Sequence, residues 1–162
     1  MEKQVPIEEL ADGRLALMAT AYTMLIKSLM EHGVARETVQ RASDQVWAQM
    51  GEQAGRLMKS LFAGEPTDVV AQKSGAITME MHGMVFRRWM LEGGHRTEVQ
   101  RCPWHDAAEQ LALPASWRMC ASGHIAFTDA MYKVLNPEIV VLPEKEMPRG
   151  DTVCTEVIRY GL

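Results

Sequence analysis

Two uninterrupted stretches of helical periodicity, parted by a single glycine, fill the first third of this chain and limit the folds open to it. From residue 7 to 32, Leu10, Leu17, Ala21, Leu25 and Leu29 recur on one helical face, and Leu15, Met18 and Tyr22 widen the stripe. Gly33 stops this helix. A second is expected from about Ala35 to Phe62, with Glu37 in its first turn and Val39, Ala42, Val46, Trp47, Met50, Ala54, Met58 and Leu61 facing inward. The connection, about His32 to Val34, is short enough to force an antiparallel helical hairpin.

Ala63-Gly64-Glu65-Pro66 closes this half, and Thr67-Asp68 caps one short further helix, Val69 to Lys73. The period then changes. Ile77, Met79 and Met81 alternate with Thr78, Glu80 and His82 and lead into Val85-Phe86 and Trp89-Met90-Leu91, which predicts a strand over 77–91. Gly93-Gly94 is a hairpin turn, and His95 to Arg101 is the returning strand. Cys102 ends it, and Pro103 opens the next turn because it cannot donate to a ladder. His105 to Leu111 reads as a short helix. Leu113-Pro114 begins a longer one that carries Cys120 and His124 to about Leu135, where Asn136-Pro137 stops it. Glu138 to Leu142 and Asp151 to Tyr160 are the last strands, with Cys154 and Glu156 on one face.

The order predicts one α+β domain: an N-terminal antiparallel helical hairpin (1–64), then a roughly four-stranded antiparallel sheet (75–162) with a long helix inserted between strand pairs. The hairpin either covers the sheet or meets a second copy, a homodimer through the N-terminal helices. At 162 residues the chain suits one core. A net charge of -4, with Arg87-Arg88 the sole basic doublet, argues against nucleic acid. No window approaches the ~18 apolar residues of a membrane span, and MEKQVPIEELADGR lacks a signal-peptide core. A cytoplasmic location with no membrane partner is expected.

Three cysteines cannot all pair with one another, and in a reducing cytosol they serve as thiols or ligands. Cys102 and His105 form a C-x-x-H pair, Cys120 and His124 share a helix face at i, i+4, and Cys154 and Glu156 add a thiol and a carboxylate. Thiolates and imidazoles select a transition metal, zinc or iron, so the expected ligands are Cys102, Cys120, His124 and Cys154. An open position would hold water, with His105 or Glu156 moving its proton. A rival chemistry has a cysteine thiolate, activated by histidine, attacking an acyl or amidine carbon. The plainest alternative makes the cysteines small core hydrophobes. His82 and His95 read as surface residues beside Glu80 and Arg96, Trp47, Trp89 and Trp117 as core, and Trp104 as a pocket wall. Arg101 and Arg118 are positioned to grip a substrate carboxylate or are ordinary surface charges. Thirteen methionines against three phenylalanines suggest a pliable core around a pocket.

Cys102-Pro103, Cys120, Phe127, Asn136-Pro137, Gly150-Asp151 and Cys154 together resemble the C-terminal pattern of the L-2-amino-thiazoline-4-carboxylic acid hydrolase-like family. The chain is also similar to a neighbouring family of small three-cysteine proteins from anaerobic microbes, with a tryptophan like Trp47 in helix two. The resemblance implies that Cys102, Cys120 and Cys154 are the functional positions and that a thiazoline ring is opened to N-carbamoyl-cysteine. The leading expectation is therefore a metal-dependent hydrolase of a small C–N bonded substrate. The alternative is a non-catalytic metal- or small-ligand-binding module, including a sensor-like domain with a Met-lined pocket that resembles the vinyl reductase domains.

Overall fold

A computed structural model describes residues 7–161. The N-terminal stretch through Pro6, and the side chain of Leu10 in the first stripe, lie outside the described residues. Five helices and four strands follow in order: α1 (Ile7–Glu31), α2 (Arg36–Leu61), α3 (Thr67–Met81), β1 (Val85–Leu91), β2 (Gly94–Arg101), α4 (Pro103–Gln110), α5 (Cys120–Leu135), β3 (Val140–Lys145) and β4 (Cys154–Arg159). The fold is α+β, with the N-terminal helices ahead of an antiparallel sheet ordered β1-β2-β4-β3. No helix among the described residues is long and apolar enough to cross a membrane.

Helix α1 ends as its composition demands. Gly33 takes φ +79, the left-handed turn that glycine tolerates, and its N–H donates to the Met30 carbonyl. Tyr22 of α1 reaches α2 through a 2.6 Å contact between its hydroxyl and Ser43 Oγ. The main partner of α2, however, is α5, and α1 lies over α4. The face of α2 toward α5 is Ser43, Trp47, Gly51, Gly55 and Met58. A Cβ at Gly51 would overlap the Phe127 carbonyl oxygen, one at Gly55 would come 2.6 Å from the Met131 carbonyl oxygen, and one at Gly123 would come 2.5 Å from the Trp47 ring. Each four-residue step along α2 thus meets a four-residue step along α5 in the same direction, so the two helices run parallel with backbones in contact.

This packing splits the expected inward stripes of the N-terminal helices. Val39, Trp47 and Met58 of α2 are buried as expected, but Val46, Met50 and Leu61 of α2 and Leu17, Met18, Ala21 and Leu25 of α1 are exposed, while Ala19, Thr23, Ile26 and Ser43 are buried. Where the backbones of α2 and α5 meet, the close approach requires Gly51 and Gly55.

The strand expected from Ile77 is the second half of a helix. Residues 67–81 form α3, whose buried positions Val70, Ala71, Ser74, Gly75, Thr78 and Met79 fall on one helical face. The Thr78 hydroxyl is satisfied by the Ser74 carbonyl at 2.8 Å, which lets a threonine sit mid-helix. Gly83, at φ +64, turns the chain into β1. The β1–β2 hairpin closes at Leu91 and Gly94, so its turn is Glu92-Gly93, one residue before the expected Gly93-Gly94 turn. Residues ahead of α5 form only a 3-10 turn, Ala115–Trp117, so the long helix starts at Cys120 rather than Leu113. Trp89 is exposed on the sheet and Trp117 half-buried, whereas Trp47 and Trp104 are core.

In β4, Cys154, Glu156 and Ile158 oppose Val99, Thr97 and His95 of β2, and these side chains line the face of the sheet turned toward the helices. The α2–α5 contact carries a direct test. Gly51→Ala should lower stability by roughly 1–3 kcal/mol, the usual cost of overpacking. Gly13→Ala, on exposed α1 with nothing within 4 Å, should raise it by a few tenths to about 1 kcal/mol. Urea unfolding of the two variants checks both signs.

Candidate functional site

The first turns of α5 and the inner face of β4 meet at one pair. His124, one turn into α5, places Nε2 3.3 Å from Glu156 Oε2 and 3.4 Å from Thr128 Oγ1. Glu156 is 4 % exposed, and no other carboxylate is buried among the described residues. The contact is ionic in distance but off-line for a hydrogen bond, so Glu156 Oε2 has no hydrogen-bond partner, and neither does His124 Nδ1. Such orphaned groups cost about 1–3 kcal/mol each.

The three thiols lie on the elements around this pair. Cys102 precedes α4, Cys120 opens α5 and Cys154 opens β4, and each lies within reach of the others' charge. Each sulfur also faces backbone amides: Cys102 those of Trp104 and His105, Cys120 those of its own residue and Ala121, and Cys154 that of Met147 at 3.3 Å. Burial dominates nonetheless. It pushes the Cys102 thiol up to about 11 and the Cys120 thiol up to about 12, and it raises Cys154. At neutral pH all three are protonated. None is hydrogen-bonded to an imidazole among the described residues, so the expected activated nucleophile is not assembled here.

The donor set suits a soft metal, because a cation removes the protons that burial retains. No group of three or more of the described His, Cys, Asp and Glu side chains is already closed into a coordination sphere. A bound ion would have to draw the sulfurs inward.

His105 faces elsewhere. Its Nε2 lies 3.7 Å from Glu109 Oε1, and burial, then the Arg118 charge, lowers its pKa. His105 makes no hydrogen bond with His124 or Glu156 among the described residues, and its buried Nδ1 has no partner. Arg118 pairs with Glu109 and Arg101 with Asp106, so both guanidinium groups are engaged within the chain.

Two histidines expected at the surface are interior. His95 is wholly buried, with Nδ1 2.6 Å from the Tyr160 hydroxyl and Nε2 3.4 Å from that of Tyr132. Burial, helped by Arg88, pushes it down to about 3. His82 is half-buried, edge-on to Phe127 at 4.9 Å and to Trp47 at 5.9 Å, and burial with the nearby His124 pushes it down to about 4. Its polar neighbour Glu80 misled the sequence reading, whereas a helix through Met81 places His82 at the helix end, turned toward the core.

Trp47 also meets Trp104 at 5.0 Å, Tyr22 meets Trp104 at 5.7 Å, and the buried Trp104 Nε1 has no partner. The result is an aromatic cluster next to the thiols and the His124–Glu156 pair. A cavity of about 20 Å³ lies against Val99, Ala121, Ile125, Cys154 and Glu156, and one of about 10 Å³ lies against Tyr22, Trp104 and Cys120. Each is about the size of one water.

No known family profile and no curated protein matches this sequence. The fold is similar to that of a trafficking protein particle complex subunit 3 from Naegleria fowleri covalently bound to palmitic acid, with a TM-score of 0.63 and 12% identity over 91% of this chain and 95% of that one. It is also similar to the phenol-responsive sensory domain of the transcription activator PoxR with phenol, at 0.61 and 17% over 87% of this chain and 73% of that one. At these identities the likeness is one of fold.

The two neutral histidines contribute to the loss of stability in acid. Unfolded, each takes a proton near 6.5. Folded, His82 does so only near 4 and His95 near 3. Below 6.5 the unfolded chain binds more protons, so the stability is complete above that pH and is lost as pH falls through 4 and then 3. His82→Phe should shrink the stability lost between pH 7 and pH 5, as read by urea unfolding at the two pH values.

Proposed function

We propose that this chain is a small-ligand-binding, sensor-like module that takes a mainly apolar, aromatic molecule carrying one hydroxyl or comparable polar group. The observation that carries the reading is the coincidence of an aromatic interior with unpaired buried polar atoms. Trp47, Trp104, Tyr22, Phe127 and His82 supply ring edges and faces, and Trp104 Nε1, His124 Nδ1 and Glu156 Oε2 are the orphans. A hydroxyl placed there donates to Glu156 and recovers part of the desolvation cost. The void is water-sized, so the occupant enters by displacing pliable side chains. Met84, Met131 and Met147 in the surrounding core suit that. A separate groove of about 670 Å³, lined by Leu15, Met84, Pro103 and Ala107, borders the same core through Met84 and Ala107. Palmitic acid and phenol, carried by the two similar structures, lend support as apolar ligands of this fold. Three free thiols favour a reducing, cytoplasmic location, and no nucleic-acid or membrane partner is invoked.

The three thiols around the His124–Glu156 pair favour a second reading, the metal-dependent hydrolase of a small C–N bonded substrate implied by the family resemblance. Cys102, Cys120 and Cys154 would hold zinc or iron, with His124 completing the set, and the ion would supply Lewis acidity. Glu156 beside them would hold a proton at its carboxylate. His105 has no place in this arrangement, because it faces Glu109.

A phenol should quench tryptophan fluorescence saturably and raise the melting temperature, and Glu156→Gln should weaken its affinity by about 3- to 10-fold or more, as expected for the loss of a buried hydrogen-bond acceptor. Phenols, indoles and fatty acids all failing to give a saturable change would sink the ligand reading. For the second reading, elemental analysis of anaerobically purified protein should find one metal per chain that Cys102→Ser, Cys120→Ser and Cys154→Ser each abolish. Retention in all three variants would remove that reading.

A further inference from the structure

We propose that α1 is a two-fold dimerisation helix whose outward face is complementary to itself. Counting outward from Ala21 in both directions, Leu17 answers Leu25 and Met18 answers Met24, and all five residues are exposed, the four larger ones at 56–69 %. The inward positions answer one another too: Ala19 and Thr23 are both buried, and Thr20 and Tyr22 both half-buried. Residue type and burial therefore read nearly alike from either end, over nine residues.

About a two-fold axis at Ala21 this symmetry sets apolar residues against apolar residues on both sides. Two antiparallel copies of α1 crossing at Ala21 set Leu17 of each against Leu25 of the other, and Met18 against Met24, so that one patch serves both sides. Ala21 at the crossing has the small side chain that lets two helices approach closely. The charges match as well. Arg14, seven residues before the centre, lies opposite Ser28 of the second copy, and Glu31 of that copy, on the same helix face, is only three residues, about 4.5 Å of rise, further on. Each dimer end thus brings Arg14 near Glu31. A lipid surface would favour a basic rim, and an unrelated protein would not require the palindrome, so a second copy is the occupant that the pattern selects. The inference is independent of what the interior binds.

Sedimentation equilibrium should give twice the 18.2 kDa chain mass. Leu17→Lys with Leu25→Lys should return it to one chain mass with an unchanged far-UV spectrum, since neither side chain enters the core. Cysteine cross-linking then reads the axis itself. Helix axes ~8–10 Å apart with Cα atoms ~2.3 Å off each axis bring facing Cα atoms to roughly 3.4–5.4 Å, which overlaps disulfide range. Ala21→Cys should therefore cross-link to itself on mild oxidation. Leu17→Cys should not, because its two copies stand about 12 Å apart along the helices, but Leu17→Cys mixed with Leu25→Cys should. Wild-type protein, oxidised alongside, controls for the native thiols. A wild-type monomer throughout the micromolar range, a dimer that survives both lysines, or Ala21→Cys failing to cross-link within a dimer would each overturn the proposal.

Discussion

The backbone contact between α2 and α5 is the constraint from which the rest of the interior follows. Parallel helices in one chain cannot be joined by a short loop. The segment that returns from the end of α2 to the start of α5 supplies α3, the β1–β2 hairpin and α4, which is most of the remaining fold. Gly51 and Gly55 let the pair close until backbone meets carbonyl, and Gly123 lets the Trp47 ring lie flush on α5. That ring fixes the height of α5 against the sheet. His124, one residue beyond Gly123, arrives opposite Glu156, and Phe127, one turn further on, arrives against His82. Three missing methyl groups therefore set the geometry of the candidate site.

Sequence reveals contacts that are local and conceals those that tertiary packing decides. The limits of α1 and α2, the β1–β2 hairpin, Cys102 at a strand end and the common face of Cys154 and Glu156 were all legible, because each depends on a few adjacent residues. Ile77 to His82 was misread because six residues of alternating polarity fit a strand, whereas the helix shows only when Val70, Ala71, Ser74 and Gly75 are counted with Thr78 and Met79. The facing of α1, and part of that of α2, was misread for a different reason. Hydrophobicity nominated Val39, Trp47 and Met58 correctly, but backbone approach placed Gly51 and Gly55 on the buried face where Val46, Met50 and Leu61 were expected. Several of the apolar residues outside are consequently ones the sequence nominated for the core.

The candidate site divides along the same line. Cys102, Cys120 and Cys154 were legible as a set, and the fold puts them within electrostatic reach of one another without closing them into a ligand group among the described residues. His124 was legible as a partner of Cys120 at i, i+4, but a strand distant in sequence supplies its actual contact, Glu156. His82 carried no signal at all, since Glu80 and an assumed strand placed it outside. His105, adjacent to Cys102 in sequence and plausible on spacing alone, is turned by α4 toward Glu109 on the next turn of its own helix.

Electrostatics joins the two readings of the interior. His82 and His95 are held neutral and the thiols protonated, all by burial, so Glu156 is the one buried carboxylate among the described residues, with only His124 to answer it. An acceptor oxygen left there without a hydrogen bond favours a strong donor or a cation. A phenolic hydroxyl meets the demand with one hydrogen bond and leaves every thiol proton in place. A zinc or iron ion meets it by Coulomb attraction, but only after the sulfurs release their protons and draw together. The first route asks the methionine-rich walls to yield and the second asks the start of α5 and the start of β4 to close. Of the two, yielding side chains demand less of a fold whose α2–α5 contact already holds Cys120 and His124 at a fixed height.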